Sequence, residues 1–176
     1  MKKSPLLGIS LRNGAIAGIL AGALLIILYF IGPHPMLILP YADFRILLYG
    51  IFIFFTLKEF RNNHQDGVLS FGQGMVGSLI FVTVAATLGA LVVLIYSNIN
   101  PEFVSDFIDQ ALEAAKTFSA NATLTEAEKN RIHVMMEGLP ATNGKSLAGQ
   151  HFVQSLMIGF FISIILSVIL RKQPKS

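Results

Sequence analysis

The sequence predicts an all-α integral membrane protein: a four-helix bundle with an external two-helix segment between its third and fourth spans. Three observations carry that expectation. Hydrophobic residues make up 53% of the 176-residue chain and charged ones 13%, with a mean hydropathy of +0.65, which is too apolar for an ordinary soluble domain. Several apolar runs are long enough to cross a bilayer. The basic residues gather at the chain ends and between those runs, as expected when positive loops stay in the cytoplasm. That dispersal of a net +3 charge forms no basic stripe, so no nucleic-acid partner is expected. The chain has no cysteine, which removes disulfides, thiol nucleophiles and thiolate metal sites.

The first span is expected at 13–32. Gly14 to Gly32 is nineteen residues without a charge, enough at about 1.5 Å per residue to cross a hydrocarbon core of about 30 Å. A secretory signal also opens on basic residues such as Lys2 and Lys3, but its apolar part is about 7 to 15 residues long and ends in a small-x-small site. Here the run ends in Tyr29-Phe30-Ile31-Gly32-Pro33, so the segment reads as a retained anchor. The second span, 42–60, is weaker: only Ile46 to Leu57 separates Arg45 from Lys58. It spans if Pro40 opens the helix, the helix runs to about Asn62, and Asp43, Arg45, Lys58 and Glu59 snorkel toward the two interfaces. The third, 71–97, contains no charge, and the fourth, 151–170, stops at Arg171-Lys172.

Charge orients these spans. Lys2, Lys3 and Arg12 precede the first, Arg171, Lys172 and Lys175 follow the last, and Lys58 and Arg61 lie between the second and third. An even number of crossings puts all three groups, and both termini, on the cytoplasmic side. The segment 98–150 then lies outside, with seven acids against four bases. With no tryptophan, interfacial anchoring falls to tyrosine, and Tyr29, Tyr41 and Tyr96 would share the outer face, leaving Tyr49 inside a helix.

Small residues four apart share a helix face and let backbones approach. Gly14, Gly18 and Gly22 do so on the first span, and Ser155, Gly159, Ser163 and Ser167 on the fourth. The third carries Gly74, Ser78, Ala86 and Ala90, interrupted by Val82. The second has only Gly50 among Leu47, Leu48, Ile51, Phe52, Phe54 and Phe55. Helices one, three and four are therefore expected to pack closely, with helix two more peripheral and facing lipid.

Between spans three and four, Glu102 to about Lys116 places Phe103, Val104, Phe107, Ile108, Ala111, Leu112 and Ala115 at helical spacing, opposite Asp106, Asp109 and Glu113. A second helix opens on the capping-box pattern Thr125-Glu126-Ala127-Glu128 and presents Ile132, Met135, Met136 and Leu139. The cover for these stripes is either each other and the bundle top, or a partner protein or the lipid surface.

Several motifs tempt toward chemistry. Gly72-Gln73-Gly74-Met75-Val76-Gly77 matches a dinucleotide fingerprint, but that site needs a preceding strand and a later acid, whereas a spanning helix follows here. Asp66-Gly67 reads as a turn, and Ser70 with Gln73 as a capping box. His34, His133 and His151, with Asp43 and Glu137, would share the outer side without ligand spacing, so no metal is expected. No span carries a central ionisable group of the kind a proton relay uses. Asn121-Ala122-Thr123 is a glycosylation sequon read as chance. No catalytic residue and no cofactor are expected, because nothing resembles a nucleophile elbow.

The chain resembles a small bacterial membrane family catalogued as domain of unknown function 4199. The resemblance rests on the glycine-rich first span, Gly67-Val68-Leu69-Ser70-Phe71-Gly72-Gln73 ahead of the third, Ile99-Asn100-Pro101-Glu102-Phe103 after it, and the later acidic helix and fourth span. It implies a multi-pass protein of the bacterial cytoplasmic (inner) membrane. The expected function is a non-enzymatic accessory or scaffold subunit, touching the lipid bilayer and a membrane-protein partner through the external helices and helix two. The alternative is a small oligomeric carrier or lipid-translocating protein, working as a homo-oligomer with Gln73, Ser78, Thr83 or Thr87 in a polar groove between subunits.

Overall fold

Capping chemistry sets where the helices start. In the computed structural model, which describes residues 4–38, 42–120 and 124–172, six α-helices form: α1 Pro5–Tyr29, α2 Phe44–His64, α3 Phe71–Ile99, α4 Glu102–Ser119, α5 Glu126–Gly138 and α6 Gly144–Ile169. Pro5 sits in the first turn of α1, where its missing N–H costs nothing. Asp43 caps α2 by accepting from Arg45 N, and Asn143 caps α6 by accepting from Ser146 N. Ser70 with Gln73 and Thr125 with Glu128 form reciprocal capping boxes on α3 and α5, each quieting two orphan backbone donors. Asp66 and Gly67 both take positive φ, 46° and 80°, and turn the chain from α2 toward α3.

Three of these helices, α1, α3 and α6, are long and apolar enough to cross a membrane. Two of them overrun their uncharged stretches: α1 begins at Pro5 rather than near residue 13, and α6 at Gly144 rather than 151. At α6 the Asn143 cap sets the start and at α1 Pro5 does, since a helix continues through polar turns until a cap or a breaker stops it. Pro40 and Tyr41, expected at the start of the second helix, lie outside the described residues, as do Lys2, Lys3, Lys175 and the sequon at 121–123. Among the described residues α2 starts at Phe44.

Helix directions follow from which residues meet. Gly14 lies on Phe81 and Gly18 on Ala85, so α1 and α3 run the same way. Gly74 lies on Ser167 and Gly159 on Val82, so α6 runs against α3. Asn13 of α1 bonds Thr56 of α2, while Arg45 and Arg61 of α2 reach Ser155 and the Leu170 carbonyl, so α2 runs against α1 and alongside α6. At one end Leu6, Leu57, Leu69 and Leu170 join one buried cluster. There Leu69 and Lys172 exchange backbone hydrogen bonds of 3.0 and 2.9 Å, tying the α2–α3 turn to the end of α6.

The opposite end is roofed by α4. Its buried Phe103, Phe107 and Ala111 pack with Leu25, Met36, Val93 and Leu147, so the apolar stripe of α4 is covered by the tops of α1, α3 and α6 and by the 3-10 turn Pro35–Leu37. His34, fully buried, fastens that turn. Its Nε2 donates to the Phe103 carbonyl at 3.1 Å, its Nδ1 accepts from Met36 N, and its own N–H donates to Gln110. Burial pushes the imidazole down to about 4, against the Phe103 carbonyl and Asp106, which act the other way. Tyr29 donates to Asp106 at 2.6 Å and, with Tyr96, edges onto Phe103. By contrast α5 buries nothing, and Val134 and Met135 stand open.

Candidate functional site

The small residues divide between two seams of α3. A methyl group added at Gly14 would lie 2.7 Å from the Phe81 carbonyl oxygen, one at Gly18 2.6 Å from the Ala85 oxygen, and one at Gly22 2.6 Å from Val92 Cβ. Gly14 and Gly18 therefore meet backbone, which cannot swing aside as a side chain can, while Gly22 meets the Val92 side chain. On the α6 side, Gly74 faces the Ser167 hydroxyl, and Gly159 receives Val82. Val82, which interrupts the small stripe of α3 in sequence, is thus the knob that fills the hole left by Gly159. Ser78, Ser155, Ser163 and Ser167 are all fully buried. Ser78 and Ser163 donate to the carbonyls of Gly74 and Gly159, four residues back, which satisfies them within their own helices. Gly77 and Gly89 do the same packing work without belonging to the expected stripe: Gly77 admits Leu6, and Gly89 admits the ring of His151.

His151 belongs to the molecule's most unusual feature, a buried cluster of charge between α2 and α6. Arg45 is 3% exposed, Asp43 8% and His151 fully enclosed. Arg45 Nε reaches both oxygens of Asp43 at 2.9 Å, and Nη2 pairs with Asp43 Oδ2 while donating to Gln154 Oε1 at 2.9 Å. Nη1 donates to Ser155 Oγ at 2.9 Å and to the His151 carbonyl at 3.2 Å, and also faces His151 Nδ1 at 3.2 Å. Every N–H of the guanidinium therefore has an acceptor. Because arginine can only donate, His151 Nδ1 is the acceptor and the ring proton sits on Nε2. Among the described residues that Nε2–H has no partner, and it abuts Gly89, where an added Cβ would lie 2.7 Å away. Tyr49 Oη, a turn below Arg45 on α2, is likewise enclosed with no partner among them.

Chemically the cluster is a clasp. The carboxylate neutralises the guanidinium, the remaining donors are spent on one face of α6, and α2 cannot slide without breaking several charge-assisted bonds at once. Below it α2 is held by further polar contacts: Asn13 Nδ2 donates to Thr56 Oγ1 at 3.0 Å, Arg12 pairs with Glu59 at 2.6 Å, and Arg61 reaches the Leu170 carbonyl at 3.4 Å.

Sequence reasoning places Asp43 and Arg45 at an interface as snorkelling ends, and the structure turns them inward instead. Two physical reasons account for it. Asp43 is committed to capping α2, which leaves its carboxylate beside the Arg45 side chain, and α6 offers acceptors at the same height. The signal in the sequence is that His151 sits four residues before Ser155, extending the stripe Ser155, Gly159, Ser163, Ser167 by one turn. A second expectation needs the same amendment. The outer face of α2 is open at Leu47, Ile51 and Phe55, but its inner face buries Tyr49, Ile53, Leu57 and Phe60, so α2 is half inside.

The other singled-out residues stay apart. His34 and His151 occupy separate buried settings, and His133 lies on exposed α5 beside Glu137 at 3.3 Å. Among the described residues no group of three histidine or carboxylate side chains converges as metal ligands do. Gln73 caps α3, and the hydroxyls of Thr83 and Thr87 donate to the carbonyls of Leu79 and Thr83. Thr83 borders a cleft of about 470 Å³ between α3 and α6 whose other walls include Leu79, Met157, Phe160 and Phe161.

No characterised protein and no solved structure matches the chain. Residues 12–172, running from the middle of α1 through the whole of α6, match the family described as protein of unknown function (DUF4199), and the chain belongs to that family.

Proposed function

We propose that this is a four-crossing membrane protein serving as a non-enzymatic accessory subunit, whose α4–α5 arm reaches a larger membrane protein. Crossing by α2 is supported by direction. If α1 and α3 both cross, running the same way as they do, the chain between them must return, and α2 is the segment available. Its 21 residues cover about 31 Å at helical rise, and the clasp removes the cost of carrying Asp43 and Arg45 as separate charges. Charge orients the bundle in a cytoplasmic membrane of bacterial type, with the Leu69–Lys172 end and both termini inside, and with α4 and α5 outside.

The observation that carries the accessory role is the contrast between a closed bundle and an open arm. The seams of the bundle are closely filled, and the hydroxyls of Ser78 and Ser163 are turned onto their own helices while Arg45 spends its donors in the clasp. On α5, Val134 and Met135 are exposed on a helix that packs chiefly beside α4 and the short turn Leu139–Ala141. The carrier alternative draws less support, since Thr83 and Thr87 spend their hydroxyls locally and the cleft that Thr83 borders is otherwise apolar.

The test is capture from membranes in mild detergent, read by quantitative mass spectrometry, with wild type beside Val134→Asp/Met135→Asp. One membrane protein recovered in fixed ratio with wild type and depleted by the double variant is the expected result. Recovery of the chain alone as a homo-oligomer, unchanged by the variant, overturns the reading.

A further inference from the structure

We infer that the outer groove between α2 and α6 is a binding site for one anionic phospholipid of the cytoplasmic leaflet, with an acyl chain against Gly50 and the headgroup at Lys58. The inference rests on the membrane-crossing reading above and goes beyond it, because it assigns the groove an occupant. The groove, about 470 Å³, runs between Leu47, Gly50, Ile51 and Phe55 on α2 and Ile162 and Ile165 on α6. Gly50 has nothing within 4 Å of where a side chain would begin, so it forms an empty floor rather than a packed contact. This glycine makes no close helix approach, unlike Gly14 or Gly18.

Length and charge select the occupant. From Ile46 to Phe55 the groove follows nine residue steps of helix, about 14 Å, a length that takes most of one acyl chain whose headgroup end lies at Lys58. At its lower end Phe55 also borders a second, polar niche of about 260 Å³ formed with Lys58, Glu59, Asn62 and Asn63. An apolar trough that opens into a polar niche at the interface matches an amphiphile lying along the helix.

The niche favours an anion. Glu59 is already neutralised by Arg12 at 2.6 Å, whereas Lys58 has no carboxylate partner among the described residues. Its ammonium lies over the Phe54 ring at 5.6 Å, held at the mouth of the groove by cation–π attraction. Asn62 accepts from Arg61 through its carbonyl oxygen, which leaves its amide N–H groups to donate to phosphate. With Glu59 neutralised from outside the niche by Arg12, the cation Lys58, unpaired among the described residues, and the amide donors beside it suit a phosphodiester where headgroups of the positive-inside leaflet lie.

The experiment is native mass spectrometry of the full chain from detergent containing equal phosphatidylglycerol and phosphatidylethanolamine, with thermal unfolding recorded in parallel. Wild type should retain one phosphatidylglycerol in preference. Lys58→Gln should cut that preference about fivefold, the scale of one basic side chain at an anionic surface, and Gly50→Leu should abolish retention of both lipids with no loss of thermal stability. Equal retention of the two lipids by wild type, or unchanged phosphatidylglycerol retention in both variants, overturns the site. Loss of the protein partner in the capture experiment with lipid retention intact would sink the accessory role and leave this site standing.

Discussion

The seam between α1 and α3 and the seam between α2 and α6 solve one problem by opposite means. At the first, helices of similar greasiness meet through Gly14, Gly18 and Gly22, and what holds them is close van der Waals contact made possible by missing side chains. At the second, the helix with the lowest mean hydropathy of the long four is held by a charge cluster at one end and polar bonds along its length. The difference teaches that a weakly apolar helix can pack against strongly apolar ones when its charges are paired against a neighbour before they are hidden. A glycine seam tolerates no added atom, whereas a clasp tolerates no missing one.

The largest effect should come from breaking the clasp by halves. Arg45→Met leaves the Asp43 carboxylate buried without its counterion and should cost about 3–5 kcal/mol in detergent unfolding. Asp43→Asn/Arg45→Met, which keeps the cap but removes both charges, should recover most of that loss. Equal destabilisation by the single and double variants would mean that the pair is not the source of the seam's strength.

A matched pair of glycine substitutions probes the other seam. Gly18→Leu must push against the Ala85 backbone, 2.6 Å from the first added atom, and should cost about 1–3 kcal/mol or more. The same change at Gly50, where nothing is met, should be neutral or stabilise by up to about 1 kcal/mol through helix propensity. Comparable losses at the two sites, measured as the midpoint of thermal unfolding, would remove the close-packing argument. The smallest effect is expected at Thr56→Val, which deletes the acceptor of Asn13 and should cost about 0.6 kcal/mol, the usual scale of such bonds between membrane helices. A loss as large as that of Arg45→Met would mean that this bond, and not the clasp, holds α2.

Much of this was legible in the residues, and the gaps have physical causes. Period-four glycine and serine, the Ser70/Gln73 and Thr125/Glu128 caps and the amphipathic stripe of α4 are local patterns, and local patterns survive folding. The clasp is not local. Asp43 and Arg45 at the edge of an apolar run look the same whether they snorkel or pair inward, and only the height of Gln154 and Ser155 on a helix more than a hundred residues away decides between the two. Val82 likewise reads as a flaw in a small-residue stripe until Gly159 is set opposite it. The helix starts at Pro5 and Gly144 escape a search for uncharged runs, because capping chemistry rather than hydrophobicity ends a helix.

The central claim is that α2 crosses the membrane alongside α6, and the absence of native cysteine makes it directly measurable. Single substitutions Gly32→Cys, in the link between α1 and α2, and Asn63→Cys, at the end of α2 opposite the clasp, fall at exposed positions and would be treated in intact cells with a membrane-impermeant maleimide. The account predicts that Gly32→Cys reacts at once and that Asn63→Cys reacts only after the membrane is opened. Labelling of both positions from the same side would contradict it.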